Sequence, residues 1–166
     1  MGNDVFIKCY NLTDATIENG IKFIGYGAFS ECIRLTNITL PNTLTDLGEF
    51  TFQNCMNLKN VVIPSDVRTI GDSTFFNCTH LTSIVIPDGV TEIGAGAFKN
   101  CSNLTSITIP NSIQNIRTRL TAPGNKLTQN NLFEGSNKVK IYVKSEATKQ
   151  LLVNSGVSAD KITVTA

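Results

Sequence analysis

One histidine, His80, is all the imidazole that 166 residues offer. A catalytic thiol needs a base beside it, which would have to be that single ring, and a zinc site needs two pairs of Cys or His ligands each a few residues apart, which cysteines standing 23 residues apart do not provide. Charge is scarce as well: 16% of residues are charged and the net charge is +1. Residues 1–116 hold six Lys/Arg against ten Asp/Glu, a balance of −4, and residues 117–166 hold eight against three, a balance of +5. The basic half is too dilute for a nucleic-acid surface, with only Phe133 and Tyr142 as aromatics among its cations. No run approaches the ~20 apolar residues of a membrane span. The first twenty residues contain Asp4, Lys8, Asp14 and Glu18 and lack the apolar stretch of a secretory leader. There is no phosphate-binding loop, no paired carboxylates and no nucleophile with its base. No catalytic residue, cofactor or metal site is expected, and the chain is read as non-enzymatic.

What the chain has instead is a period. Cys9, Cys32, Cys55, Cys78 and Cys101 stand 23 residues apart, and a unit can be written from each leucine at 12, 35, 58, 81 and 104. Aliphatic residues follow at Ala15, Ile38, Val61, Ile84 and Ile107 and again at Ile17, Leu40, Ile63, Ile86 and Ile109. Pro41, Pro64, Pro87 and Pro110 come next, then a second aliphatic pair and a Gly (Gly25, Gly48, Gly71, Gly94), a Phe (Phe29, Phe52, Phe75, Phe98) and the Cys. A period of this length belongs to solenoids whose coils bury their apolar side only by stacking. In residues 81–87, Ile84 and Ile86 point to one face of a strand while Ser83 and Val85 point to the other. Pro87 stops that strand, because it donates no ladder hydrogen bond. The Gly predicts a tight turn. Each stacked Ile, Leu or Phe contributes roughly 1.5–3 kcal/mol against chain ordering of about 1–2 kcal/mol per residue, so several coils fold together where one cannot.

The cysteines are read as buried core thiols. Rungs of a stacked sheet lie about 4.7–4.9 Å apart with parallel Cβ vectors, whereas a disulfide wants facing Cβ atoms at about 3.5–4.5 Å. The Asn before the Cys (Asn54, Asn77, Asn100) is expected to form a ladder of side-chain to backbone hydrogen bonds. The sequons at Asn11, Asn37, Asn77, Asn100 and Asn103 fall in or beside the repeat consensus and are read as its by-product. Phe23, Tyr26, Phe50 and Phe76 sit at non-repeating offsets, where they either fill gaps on the far flank or form an exposed patch.

In residues 81–103 the Ile-Pro, Ile-Gly, Ala-Phe and Asn-Cys pairs sit at spacings that resemble the 23-residue repeat of the BspA-type leucine-rich-repeat family, although Thr51 and Thr74 replace the alanine before Phe in two units. The resemblance runs from residue 1 to Ile116 and resumes near Lys138. It implies a surface-exposed binding or adhesion module of bacteria and some protists without enzymatic activity. The expected fold is an α/β repeat: a right-handed leucine-rich-repeat solenoid with a parallel β-sheet on one face and short turns or helical segments on the other.

Three regions follow: an array over residues 1–116 with a partial first coil at 1–11, an irregular insertion over 117–137 marked by Ala122-Pro123-Gly124-Asn125, and a strand-helix-strand cap over 138–166. In the cap, Val139, Ile141 and Val143 alternate as a strand, Ser145 is the expected helix N-cap, Asn154-Ser155-Gly156 ends the helix, and a short strand closes at Lys161–Val164. Because Gly2, Phe6 and Cys9 are in phase, the chain begins mid-coil and reads as a piece of a longer array, with an uncovered first coil (Met1, Phe6, Leu12) suited to end-to-end self-association.

Function is expected on the solvent side of the strands. The residues two and four after each leucine include Asn37, Thr39, Asn60, Val62, Ser83, Val85, Ser106 and Thr108, with Asp14 and Thr16 before them and Tyr142 in the last strand. These small, mostly uncharged side chains suit many weak contacts to a protein or glycan partner, such as a host or matrix protein, on a cell-surface or extracellular parent protein. The competing reading is a structural spacer with no ligand, since Thr and Val are favoured on any exposed strand.

Overall fold

The computed structural model describes residues 1–118 and 131–165. It is a stack of parallel coils. On the first face lie β1 (Asp14–Thr16), β3 (Asn37–Thr39), β6 (Ser83–Val85), β8 (Ser106–Ile109), β10 (Lys140–Val143) and β11 (Ile162–Val164). A second row of two-residue strands, β2 (Phe23–Ile24), β4 (Asp46–Leu47), β5 (Thr69–Ile70), β7 (Glu92–Ile93) and β9 (Asn115–Ile116), forms an unbroken five-stranded parallel sheet. That second sheet is not legible in the periodicity, because a two-residue strand is too short to show alternation. Turns close each coil, as expected.

The ladders hold in register. Ile84 pairs with Ile107 and Ile107 with Ile141, while Ile24, Leu47, Ile70, Ile93 and Ile116 form the matching ladder of the second sheet. Six phenylalanines stack as one column, Phe6–Phe29–Phe52–Phe75–Phe98–Phe133, with centroids 5.1 to 5.8 Å apart. Offset stacking at this distance adds about 0.5–1.5 kcal/mol per pair beyond area burial. Phe133 takes the sixth rung 35 residues after Phe98, and Ser136 takes the cysteine's place in the same coil.

Cys32, Cys55, Cys78 and Cys101 are buried and unpaired, whereas Cys9 in the first coil is only partly covered and corrects the expectation of five buried thiols. Each buried thiol also does more than fill space. The Sγ of Cys32, Cys55, Cys78 and Cys101 donates to the carbonyl of Phe6, Phe29, Phe52 and Phe75 in the preceding coil at 3.1, 3.1, 3.2 and 3.1 Å. Phe29, Phe52 and Phe75 carbonyls also accept the amide of the cysteine three residues on, so both lone pairs are used. Ser136 Oγ continues the series to Phe98 O at 2.7 Å. Burial pushes these thiols up, Cys32 to about 11 and Cys101 to about 12.

Two positions read for one reason are required for another. Gly48, Gly71 and Gly94 are not left-handed; a Cβ on them would meet backbone of the coil below, at 2.7 Å from Ile24 O, 2.5 Å from Glu49 N and 2.3 Å from Asp72 N. They are there for close approach. The asparagines before the cysteines are the left-handed ones: Asn54, Asn77 and Asn100 have φ near 60°, as do Lys8 and Glu31 at the equivalent place, and Gly135 fills it in the last coil with φ 77°. Asn tolerates that conformation better than most residues. The expected side-chain to backbone ladder is replaced by one side-chain to side-chain bond, Asn77 Nδ2 donating to Asn54 Oδ1 at 2.9 Å.

The cap forms as expected. Ser145 is the N-cap of α1 (Glu146–Asn154), its Oγ accepting from Thr148 N and donating to Asn111 Oδ1, which ties the helix start to the fifth unit. Leu152, Val157 and Ile162 close the core at this end. Arg117 binds the array laterally, with Nε 2.9 Å from Glu92 and 3.4 Å from the buried Asp72, and Nη1 3.6 Å from Glu49. Residues 119–130, which include the turn signal at 122–125, lie outside the described residues.

Candidate binding face

The first face places the expected residues in two columns. Asp14, Asn37, Asn60, Ser83, Ser106 and Lys140 form one, and Thr16, Thr39, Val62, Val85, Thr108 and Tyr142 form the other. Their side chains point outward because the alternate residues, Ile38, Val61, Ile63, Ile84 and Ile107, are drawn into the core. Asn37 Nδ2 donates to Asp14 Oδ1 at 2.7 Å, and this bond, with a second from Thr13, holds the exposed Asp14 carboxyl below its usual range.

The face is not one sheet. Strands β1 and β3 form a pair, and β6, β8, β10 and β11 form a separate four-stranded sheet. The unit between them, in phase with the others, forms no strand; among the described residues its ladder pairing is a bridge from Asn60 to Asn37, beside Lys59 N donating to Thr36 O at 3.3 Å. The core does not share this break, since Phe52 and Phe75 stay stacked at 5.5 Å. A shallow groove of about 370 Å³ therefore opens between the third and fourth full coils, those beginning at Leu58 and Leu81, lined by Asn60, Val62, Ser83, Val85 and Pro87 over the backs of Ile63 and Ile84. A second, of about 270 Å³, lies on the other side of Val62 against Thr39, Asn42 and Pro64.

Val62 and Val85 are 82% and 65% exposed. They are the apolar interruption of a column that is otherwise Thr and Tyr. The structure thus brings Asn60, Val62, Ser83 and Val85 around one groove, sets Asn37 and Thr39 on the neighbouring sheet, and sets Ser106 and Thr108 on the far side of β6. Sequence reading missed the break and the part played by Pro87. Three consecutive β-branched residues at Val61–Ile63 gave no sign of it, since such residues favour strands.

Of the non-repeating aromatics, Phe23 and Tyr26 are exposed, Phe50 and Phe76 are half-buried, and Tyr26 packs on Phe50 at 5.0 Å. Among the described residues no three His, Cys, Asp or Glu side chains stand together as a metal site would need. His80, the one imidazole, places Nδ1 2.7 Å from Met56 O, a tie between coils.

Stacked parallel coils with Ile, Phe and Cys ladders match the model of the BspA-type leucine-rich-repeat region, found in six copies over residues 1–140. The chain belongs to the BspA-type leucine-rich-repeat family. Among solved structures it is similar to a leucine-rich-repeat protein of T. pallidum (29% identity, TM-score 0.75, covering 86% of this chain and 61% of that one). It is also similar to a leucine-rich-repeat protein of Bacteroides ovatus (31%, 0.74, 87% and 34%) and to a leucine-rich cell surface protein of Faecalibacterium prausnitzii (27%, 0.70, 84% and 34%). The chain thus spans between a third and two thirds of the length of these relatives. No curated protein matches it. A BspA-type array of this kind is a repeat module of the protein-interaction class, and among the described residues no helix is long and apolar enough to cross a membrane.

Proposed function

We propose that this BspA-type array is a non-enzymatic binding module of a longer cell-surface protein, and that its partner, a protein or a glycan, sits on the first face across the groove between the third and fourth coils. The observation that carries this is the exposure of Val62 and Val85 at the break in the strand face. A smooth column of Thr side chains needs no partner; two valines over an open groove give up apolar contact that a ligand restores. Asn60 and Ser83 beside them supply hydrogen-bonding groups that fix orientation. The surface placement draws support from the F. prausnitzii relative, which is a cell surface protein.

The test is to replace Asn60, Val62, Ser83 and Val85 together by Lys and measure binding to whole cells and to a panel of matrix proteins and glycans. These side chains are exposed or edge-lying, so the fold survives. Loss of a binding signal seen with the parent chain supports the module, while an unchanged profile favours the spacer reading.

A further inference from the structure

Tyr10, Ile33 and Met56 each follow the cysteine of their coil by one residue, so they stack as a column on the flank away from the strand face. They are 47%, 37% and 41% exposed. The fold does not ask for apolar residues there, because the next two coils carry Thr79 and Ser102 at the same position. A lone exposed aliphatic is ordinary. Three in register, spaced about 4.8 Å from coil to coil, make a stripe with an abrupt polar end.

The columns on either side decide what fits it. Two residues before the stripe run Lys8, Glu31 and Asn54; one residue after it run Asn11, Arg34 and Asn57. The acid and the base thus flank Ile33 on opposite sides. Glu31 receives only the Tyr10 hydroxyl at 3.5 Å, and Arg34 takes part in no hydrogen bond or ion pair among the described residues. A copy of the same surface, turned by a two-fold axis that runs along the solenoid, brings Glu31 opposite the partner's Arg34 and Arg34 opposite the partner's Glu31, with Ile33 on Ile33 at the centre. The other two-fold, across the solenoid, sets Glu31 on Glu31 and Arg34 on Arg34, which like charges oppose.

We infer that the stripe is a homodimer contact: two chains side by side and pointing the same way, sealed by Tyr10, Ile33 and Met56 and keyed by two reciprocal Glu31–Arg34 pairs. A patch three coils long falls well short of the roughly 800 Å² per partner of a standard interface, so the dimer is weak and forms at roughly 0.1 mM. It leaves the strand faces of both copies open, so it stands independently of the binding role given above, and it presents two such faces to a multivalent partner.

Sedimentation equilibrium from roughly 10 μM to 1 mM reads it directly. The expected result is a monomer–dimer equilibrium that Ile33→Lys weakens at least tenfold with an unchanged far-UV spectrum. Glu31→Arg and Arg34→Glu each weaken it alone, an equal mixture of the two variants forms a heterodimer, and the doubly swapped chain recovers parental association. A chain monomeric throughout the range overturns the inference. So does a dimer indifferent to Ile33→Lys, or a double swap that fails to recover. Association lost on Phe6→Lys and kept on Ile33→Lys places the contact at the end of the stack instead, and equally overturns it.

Discussion

Replacing Gly71 by Ala asks the stack to part. The added Cβ would lie 2.5 Å from Glu49 N and 2.7 Å from the Gly48 carbonyl carbon, both backbone atoms that cannot rotate aside. That is about 1 Å short of ordinary contact. Relief requires the third coil to lift off the second by a comparable distance. The bond from Gly71 N to Leu47 O, now 2.9 Å, and the one from Thr74 Oγ1 to Gly48 O, now 3.2 Å, would both pass out of range. Each contributes about 0.5–1.5 kcal/mol net, and overpacking itself costs about 1–3 kcal/mol. The expected loss is about 2–6 kcal/mol. Gly20 is the control: its φ is 105° and nothing lies within 4 Å of its ideal Cβ, so Ala there meets only the left-handed backbone penalty of about 1–2 kcal/mol. Urea unfolding followed by far-UV circular dichroism gives both values. If Gly71→Ala costs no more than Gly20→Ala, close approach is not what the repeated glycine provides.

Four buried thiols make the fold labile to alkali. Their pKa values are raised by burial, so the folded chain keeps protons that the unfolded chain sheds above about pH 8.5, and stability falls as pH rises by about 1.4 kcal/mol per unit for each thiol. Under reducing conditions the urea midpoint should drop steeply between about pH 9 and 11, and Cys78→Ser, which copies the hydroxyl that Ser136 already places at this rung, should flatten the slope by about a quarter; a flat profile refutes the burial reading. With a thiol reagent at neutral pH, Cys9 should label first and the other four only on unfolding, so rapid labelling of all five contradicts the ladder. Asn77→Gly should cost only the lost bond to Asn54, about 0.5–1.5 kcal/mol, because Gly135 already serves at that position, whereas Asn77→Val loses the same bond and adds left-handed strain of about 1–2 kcal/mol, and equal midpoints for the two variants would rule out the conformational role.

The period revealed which residues touch. Ile84 on Ile107 and Phe52 on Phe75 follow from the spacing alone, because a solenoid turns distance along the chain into distance along one axis. Spacing is silent on why a residue type is chosen. Gly71 and Asn77 both read as turn residues, but one avoids a neighbour and the other adopts a left-handed backbone, a distinction that exists only once coils are stacked. The thiol-to-carbonyl bonds were hidden for the same reason: Cys55 reaches back 26 residues to Phe29, not one period. Phe133 escaped because the insertion moved it out of phase. On the candidate face the columns of Asn60, Val62, Ser83 and Val85 were legible from alternation, but the break beside Val62 was not, since local strand preference says nothing about whether a neighbour accepts the pairing.

The Cys-to-Phe bonds run always from one turn to the one beneath, never further, and the same holds for the aromatic column. For the thiol and the aromatic ring, an interior turn therefore meets the same partners above and below wherever it stands. Copying or excising such a turn in the gene leaves those two columns unbroken, so they place no limit on length while they fix the cross-section. Arg117 is the exception: it grasps carboxylates from the three turns just behind it, so which turns stand there matters to it although the total number does not.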